Sequence, residues 1–224
     1  MAATLSSPAT LAEVLATLAE EADPAAVEAM SEQYGIHAES SYGVPMRRLL
    51  QLGKAAGTDH ELAQQLWAEG SYEARTIAAL VDDPHQVDAK QMQQWCKDFD
   101  NWAIVDTVCF RLFDKTSDAW SKVDEWVTDE RLFVKRAGFA LIWGLALHVR
   151  NAPEHHLPRA VGHARAQAAD PRPLVGKAIT MSLRAIATKQ PYLRDDVVSL
   201  ATDLSNGSDP AARRVGRPIV RSFA

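Results

Sequence analysis

The sequence predicts an all-α fold, a curved α-α superhelix built from degenerate helical pairs, and three observations carry that prediction. No run of five or more residues alternates apolar and polar between Asn-Gly or Asp-Gly turns, so strand signals are nearly absent. Apolar residues instead recur at helical spacing behind capping residues, and the pattern returns along the chain as helix, short polar link, second helix. With 224 residues, 47% of them apolar and 7% aromatic, the chain can bury one continuous core as a single domain over residues 1–224, with no disulfide or metal staple.

The clearest pair lies at 59–80. DHELAQQLWAE (59–69) has an acidic first turn, apolar Leu62, Leu66 and Trp67 on one side, and Gly70 where a C-cap belongs. YEARTIAAL (72–80) follows and is closed by Asp82-Asp83-Pro84, which completes a helical hairpin. A further pair falls within residues 90–113. The helix 132–147 is apolar almost all round, as expected of one sandwiched between neighbours. A lone Arg136 within it needs a partner or solvent on the concave side.

Second helices open with a basic residue followed by small and apolar ones. Examples are EAR (73–75), KRAGFALIWGLAL (135–147), GKAITMSLRAIA (176–187) and ARRVGRPIV (212–220). Arg75, Arg136, Lys177 and Arg213 are 61, 41 and 36 residues apart, and with one more pair in the first interval the repeat falls at about 30–45 residues, the range of HEAT-like and armadillo-like repeats. In such a solenoid one helix of every pair lines the concave face, so these charges are expected in one groove.

Charge and cysteine usage narrow the function classes. Residues 1–130 carry 9 basic against 23 acidic side chains, whereas residues 131–224 carry 15 against 6. A basic half fits a polyanion-binding surface, and it equally fits pairing with the acidic half or solvated helix faces. Cys96 and Cys109 form no CxxC pair, and the histidines at 148, 155, 156 and 163 lie around the Pro153–Pro158 link without supporting acids, so solvated loop histidines and no metal site are expected. No apolar stretch of about eighteen residues and no signal-like N-terminus occurs, which points to a cytoplasmic protein with no membrane partner. The sequence gives no reason to expect an oligomer, so a monomer is expected.

Two constellations could carry chemistry. On a helix through FDNWAIVDTVCFRLF (99–113), Trp102 and Asp106 share a face, an indole beside a carboxylate. They read as a core tryptophan with a surface or arginine-paired acid, or as a catalytic pair. The carboxylate lies beside Val105, Val108 and Cys109, where it must be hydrated or paired. Lys177, Met181 and Arg184 also share a helix face. They read as two solvated cations and a core methionine, or as two phosphate ligands with Arg136 as a third. Tyr34 and Tyr42 fit either backbone contacts to a nucleic acid or core positions with the hydroxyl at the surface.

From about Ala26 to Arg221, and most specifically from Leu62 to His148, the sequence resembles the AlkD-like DNA alkylation-repair family of HEAT-like DNA glycosylases. The resemblance rests on YGVPMRR (42–48), LAQQLWAEGSYEAR (62–75), NWAIVD (101–106), LFVKRAGFAL (132–141) and KAITMSLR (177–184). It implies excision of cationic N3- or N7-alkylated purines from double-stranded DNA with no cofactor and no base flipping. In that family's terms Trp102 and Asp106 would be the catalytic aromatic and carboxylate, and Arg136 and Arg184 the DNA-contacting arginines, joined by Lys177, Met181 and Tyr34 along the DNA. It also implies a nucleoid-associated protein of a bacterial cytoplasm. The chain departs from the pattern at Met181, where the family's best-known members carry a second aromatic residue. A non-catalytic relative that binds branched or damaged DNA through the same concave groove is therefore an alternative, as is a helical-repeat scaffold for a protein partner.

Overall fold

The computed structural model describes residues 9–148 and 155–223. Among the described residues every regular element is helical, with thirteen α-helices, two short 3-10 turns and no strand. None of those helices is long and apolar enough to cross a membrane. The link around Pro153 lies outside the described residues. The chain divides into two compact units, residues 1–116 and 117–224.

The first unit holds α1 (Leu11–Glu20), α2 (Pro24–Tyr34), α3 (Met46–Ala56), α4 (His60–Glu69), α5 (Tyr72–Val81), α6 (Ala89–Lys97) and α7 (Trp102–Arg111). The expected hairpin is α4 and α5. The Asp59 carboxylate accepts from the Leu62 amide at 2.9 Å, Gly70 closes α4 at φ +95°, and the Ser71 hydroxyl accepts from the Ala74 amide to open α5. Both Cys96 and Cys109 are buried thiols without a disulfide.

A buried carboxylate organises this unit. Glu73, on α5, has no exposed surface, and it accepts hydrogen bonds from the Ser41 hydroxyl (2.9 Å) and from the amides of Tyr42 (2.9 Å), Gly43 (2.8 Å) and Val44 (3.2 Å). A carboxylate removed from water needs such charge-assisted donors. The segment 35–45 has no regular structure of its own, so this cradle fixes it. Gly43 is required there because its φ is +78° and a Cβ would lie 2.2 Å from the Asp23 carbonyl oxygen. The YGVP and EAR segments, 31 residues apart for Tyr42 and Glu73, thus form one hydrogen-bonded piece.

Arg75 lies in the same first turn of α5. Its guanidinium lies 5.3 Å from the Trp67 ring, donates to the Asp98 carbonyl (3.0 Å) and pairs with Asp100 (3.7 Å). Trp67 stacks on Trp95 with centroids 4.0 Å apart, and its indole N–H donates to the Asp98 carboxylate at 2.8 Å. Arg75 is therefore a clamp on the turn before α7, where the repeat pattern anticipated a groove cation.

The second unit holds α8 (Ala119–Trp126), α9 (Leu132–His148), α10 (His156–Gln167), α11 (Pro173–Lys189), α12 (Arg194–Asn206) and α13 (Pro210–Phe223). As its composition predicts, α9 is buried nearly all round, and its most extensive partner is α11. Two charged residues tie α9 to α11 and to the segment that leads into it. Lys135 Nζ donates to Gln167 Oε1 (2.9 Å) and Asp170 Oδ2 (3.2 Å), and Arg136 Nη1 donates to the Leu174 carbonyl (2.6 Å) in the first turn of α11. Asp170 also receives Arg172 through two nitrogens, at 2.9 and 2.6 Å. His156 and His163, expected in a loop, lie on α10, where His163 is 3.0 Å from Asp124. The sequence places them at a link because Pro158 reads as a helix breaker, yet proline is accommodated in a first helical turn.

On α13 the apolar side, Ala211, Ala212, Val215 and Ile219, is buried. Gly216 lets its backbone approach α12 so closely that a Cβ would lie 2.4 Å from the Ala201 carbonyl oxygen. Arg213, the fourth basic anchor, donates to the Gly207 and Ser208 carbonyls and so closes the link before its own helix.

Two predictions concern stability. Glu73→Ala strands the buried amides of Gly43 and Val44 and the half-buried amide of Tyr42, and is expected to cost about 3–5 kcal/mol in chemical denaturation. Chiefly through its bonds with Arg172, Asp170 is held well below the usual carboxylate range. Such a group stabilises the fold above the unfolded carboxylate pKa, and the contribution is lost as pH falls through the depressed folded value. Asp170→Asn should therefore cost roughly 2–3 kcal/mol at pH 7. In thermal melts the gap between variant and wild type should narrow progressively below about pH 4.

Candidate functional site

The turn clamped by Arg75 delivers the first group of residues. Asn101 is buried and caps α7, its Oδ1 accepting from the amides of Ala103 and Ile104 at 3.0 Å each, while its Nδ2 donates to Asp100 Oδ1 at 2.7 Å. Trp102 is consequently the first residue of α7, half-buried at the helix mouth. Its indole N–H donates at 3.0 Å to the backbone carbonyl of Tyr34, the last residue of α2. Asp106 follows one turn later, about 6 Å along the axis, and is also half-buried. Behind them Ile104, Val105, Val108 and Cys109 are buried. The Tyr34 side chain is 61% exposed. Tyr34, Trp102 and Asp106 are thus brought together in the first unit, with the Tyr34 main chain fixing the indole. Tyr42 lies elsewhere in the unit, its hydroxyl 3.4 Å from Glu69.

The second group is on α11. Lys177 and Arg184 are exposed and Met181 is half-buried. Met181 and Arg184, with Trp143, Leu147, Ala185 and Thr188, line a cavity of about 290 Å³ between α9 and α11. Its floor is apolar, and Arg184 brings a guanidinium to its edge.

Arg136 differs from expectation. It has no exposed surface and therefore presents nothing to a phosphate in this conformation. A guanidinium inside an apolar helix pair has to find carbonyl oxygens, and it finds Leu174 at the start of α11. It sets the position of the helix that carries Lys177, Met181 and Arg184.

Trp143 is a site residue that sequence reasoning missed. It lies seven positions after Arg136, two turns along the same helix, and was hidden in a stretch that reads as uniformly apolar core. Its indole supplies an aromatic wall beside Met181, where the α11 sequence itself offers none. Among the described residues no group of three or more His, Cys, Asp or Glu side chains could hold a metal ion.

Comparisons with known proteins agree with this architecture. Among solved structures the chain is similar to one described as representing "a new family of proteins related to the HEAT-like repeat DNA glycosylases with affinity for branched DNA structures", with a TM-score of 0.78 at 18% identity over 95% of each chain. The fold is accordingly that of the HEAT-like repeat DNA glycosylase relatives. Comparison with curated proteins gives no match. The family described as DNA alkylation repair enzyme matches residues 14–207, so that all the elements from α2 to α12 fall within it, and the chain belongs to that family.

Proposed function

We propose that the protein is a monofunctional DNA glycosylase that hydrolyses the N-glycosidic bond of cationic N3- or N7-alkylated purines, such as 3-methyladenine and 7-methylguanine, in double-stranded DNA. The observation that carries this reading is the half-buried Asp106 carboxylate one helical turn from an indole whose N–H is fixed on the Tyr34 carbonyl. Membership of a DNA alkylation repair enzyme family supports alkylated DNA as the substrate.

The chemistry suits these side chains. An alkylated purine is already positively charged, so the C1′–N bond can break with its electron pair going to the base, which leaves neutral without a general acid. The deoxyribose is left as an oxocarbenium-like cation, as in sugar hydrolysis. Asp106 stabilises that cation and accepts the proton of the water that adds to C1′, and partial burial strengthens its effect. Trp102 adds cation–π attraction, worth about 0.5–2 kcal/mol according to desolvation. The substrate's own charge provides activation that other glycosylases obtain by drawing the base from the stack, so flipping is dispensable.

On the second unit, Lys177 and Arg184 are the phosphate ligands in this reading, and Trp143 with Met181 forms an apolar surface that can contact DNA. Tyr34 contributes an exposed phenol that can donate to the backbone. Arg136 acts through α11 as a positioning residue. The reading requires no cofactor and no metal, and the protein acts as a cytoplasmic, nucleoid-associated monomer.

A second reading is favoured by Met181, which replaces the aromatic residue of the best-known family members. It is favoured also by the structural relative, whose description gives affinity for branched DNA. In it the chain binds branched or damaged DNA and releases no base.

Release of free 7-methylguanine from methylated duplex DNA, with no metal or cofactor added, separates the two. Wild type should release the base, while Asp106→Asn should bind DNA as well as wild type and lose about 10²–10³-fold in rate. No release by wild type with DNA bound, and preference for a four-way junction, would establish the second reading. Trp143→Ala should weaken DNA binding by about two- to twelve-fold, the range of one aromatic contact. Equal DNA affinity of Trp143→Ala and wild type would remove that ring from the DNA contacts.

A further inference from the structure

The outward side of α13 is a row of arginines. Arg213, Arg214, Arg217 and Arg221 line, with Pro210 and Pro218, a furrow of about 530 Å³. The helix PAARRVGRPIVRSF contains no carboxylate, and the nearest acid before it, Asp209, is occupied in capping the Ala212 amide at 2.7 Å. Arg213 and Arg214 are partly engaged, with the carbonyls of Gly207 and Ser208 and with that of Pro171. Arg217 and Arg221 are exposed, and among the described residues no carboxylate pairs with any of the four.

Structure accounts for only part of this arrangement. Like charges four residues apart weaken a helix, and the row contains two such pairs, 213/217 and 217/221. A helix C-terminus favours a cation within its last turn, which accounts for Arg221 and leaves Arg217 unexplained. The apolar side of α13 already docks on α11 and α12, with Gly216 pressed against Ala201, so the arginine side is fixed outward by packing. The ligand that this side suits is a row of phosphates. Successive arginines of the 213/217/221 row are about 6 Å apart along the axis and the row is about 12 Å long. A DNA strand carries one phosphate on every nucleotide, so a row of this length can meet more than one of them. All four cations are arginine, whose planar fork matches phosphate oxygens in pairs.

We propose that the α13 arginine furrow is a DNA-backbone site, binding consecutive phosphates of one strand of duplex DNA without reading sequence. It lies beyond residue 207, where the family match ends, and so adds to the residues assigned above. The inference rests on DNA being the ligand of this chain and is independent of whether a base is excised.

The test is binding of an undamaged duplex of about 20 base pairs as a function of salt. Arg217→Gln/Arg221→Gln should bind more weakly than wild type at low salt. Its slope of log K against log salt should be less steep by about 1.8, or about 0.9 for each lost phosphate contact. Arg217→Lys/Arg221→Lys should keep the wild-type slope. A glutamine variant with the wild-type slope would overturn the proposal, as would an equal loss in the lysine variant, which would indicate damage to the helix. Loss of binding to a polyglutamate peptide with DNA binding unchanged would make the furrow a protein site and also overturn it. Failure of wild type to release any base, with the slope change still present, would leave this site standing and overturn only the glycosylase reading.

Discussion

The Glu73 carboxylate, enclosed by one hydroxyl and three backbone amides, is the constraint on which the first unit depends. A fully buried anion is tolerable only where donors are already in place, so its helix and the 41–44 segment are specified together. Once α5 is fixed, Arg75 fixes the 98–100 turn, the turn fixes the Asn101 cap, and the cap places Trp102 and Asp106. The second unit applies the same logic with the opposite sign. There Lys135 and Arg136 are the buried ions, and carbonyl and carboxylate oxygens of the α10–α11 link and the first turn of α11 are the partners. In both units a charged side chain on a core helix decides where the helix bearing the surface residues begins.

This explains how far the sequence could be read. The 59–80 hairpin and the helix over 132–147 are local matters of caps, glycines and apolar spacing, and they appear where the pattern puts them. The directions of Arg75 and Arg136 are not local. A cation that opens an apolar helix satisfies the same pattern whether it meets solvent or a buried carbonyl, and only the three-dimensional neighbour decides. Trp143 was obscured for the converse reason, since a ring lining a cavity and a ring filling a core are the same letter in an apolar run. The Trp102–Asp106 pair was legible because its two members lie on one helix.

The charge asymmetry takes on a finer meaning once individual partners are known. Part of the positive charge of residues 117–224 is consumed internally, in Lys122 with Glu125, Arg131 with Asp129, Lys135 and Arg172 with Asp170, and Arg159 with Asp124. Such pairs shape the fold and add little field outside it. Six exposed cations outside these pairs, Lys177, Arg184, Lys189, Arg214, Arg217 and Arg221, lie on α11 and α13, two helices that pack together.

The anchoring of Trp102 on the main-chain oxygen of Tyr34 has a consequence for how this protein can change. A carbonyl belongs to every residue, so the ring keeps its orientation whatever side chain occupies position 34. That position is free to vary its exposed phenol, and with it the contacts made at the rim, without loosening the indole. Change at 34 is compatible with a constant indole at 102, because the contact itself demands no paired substitution.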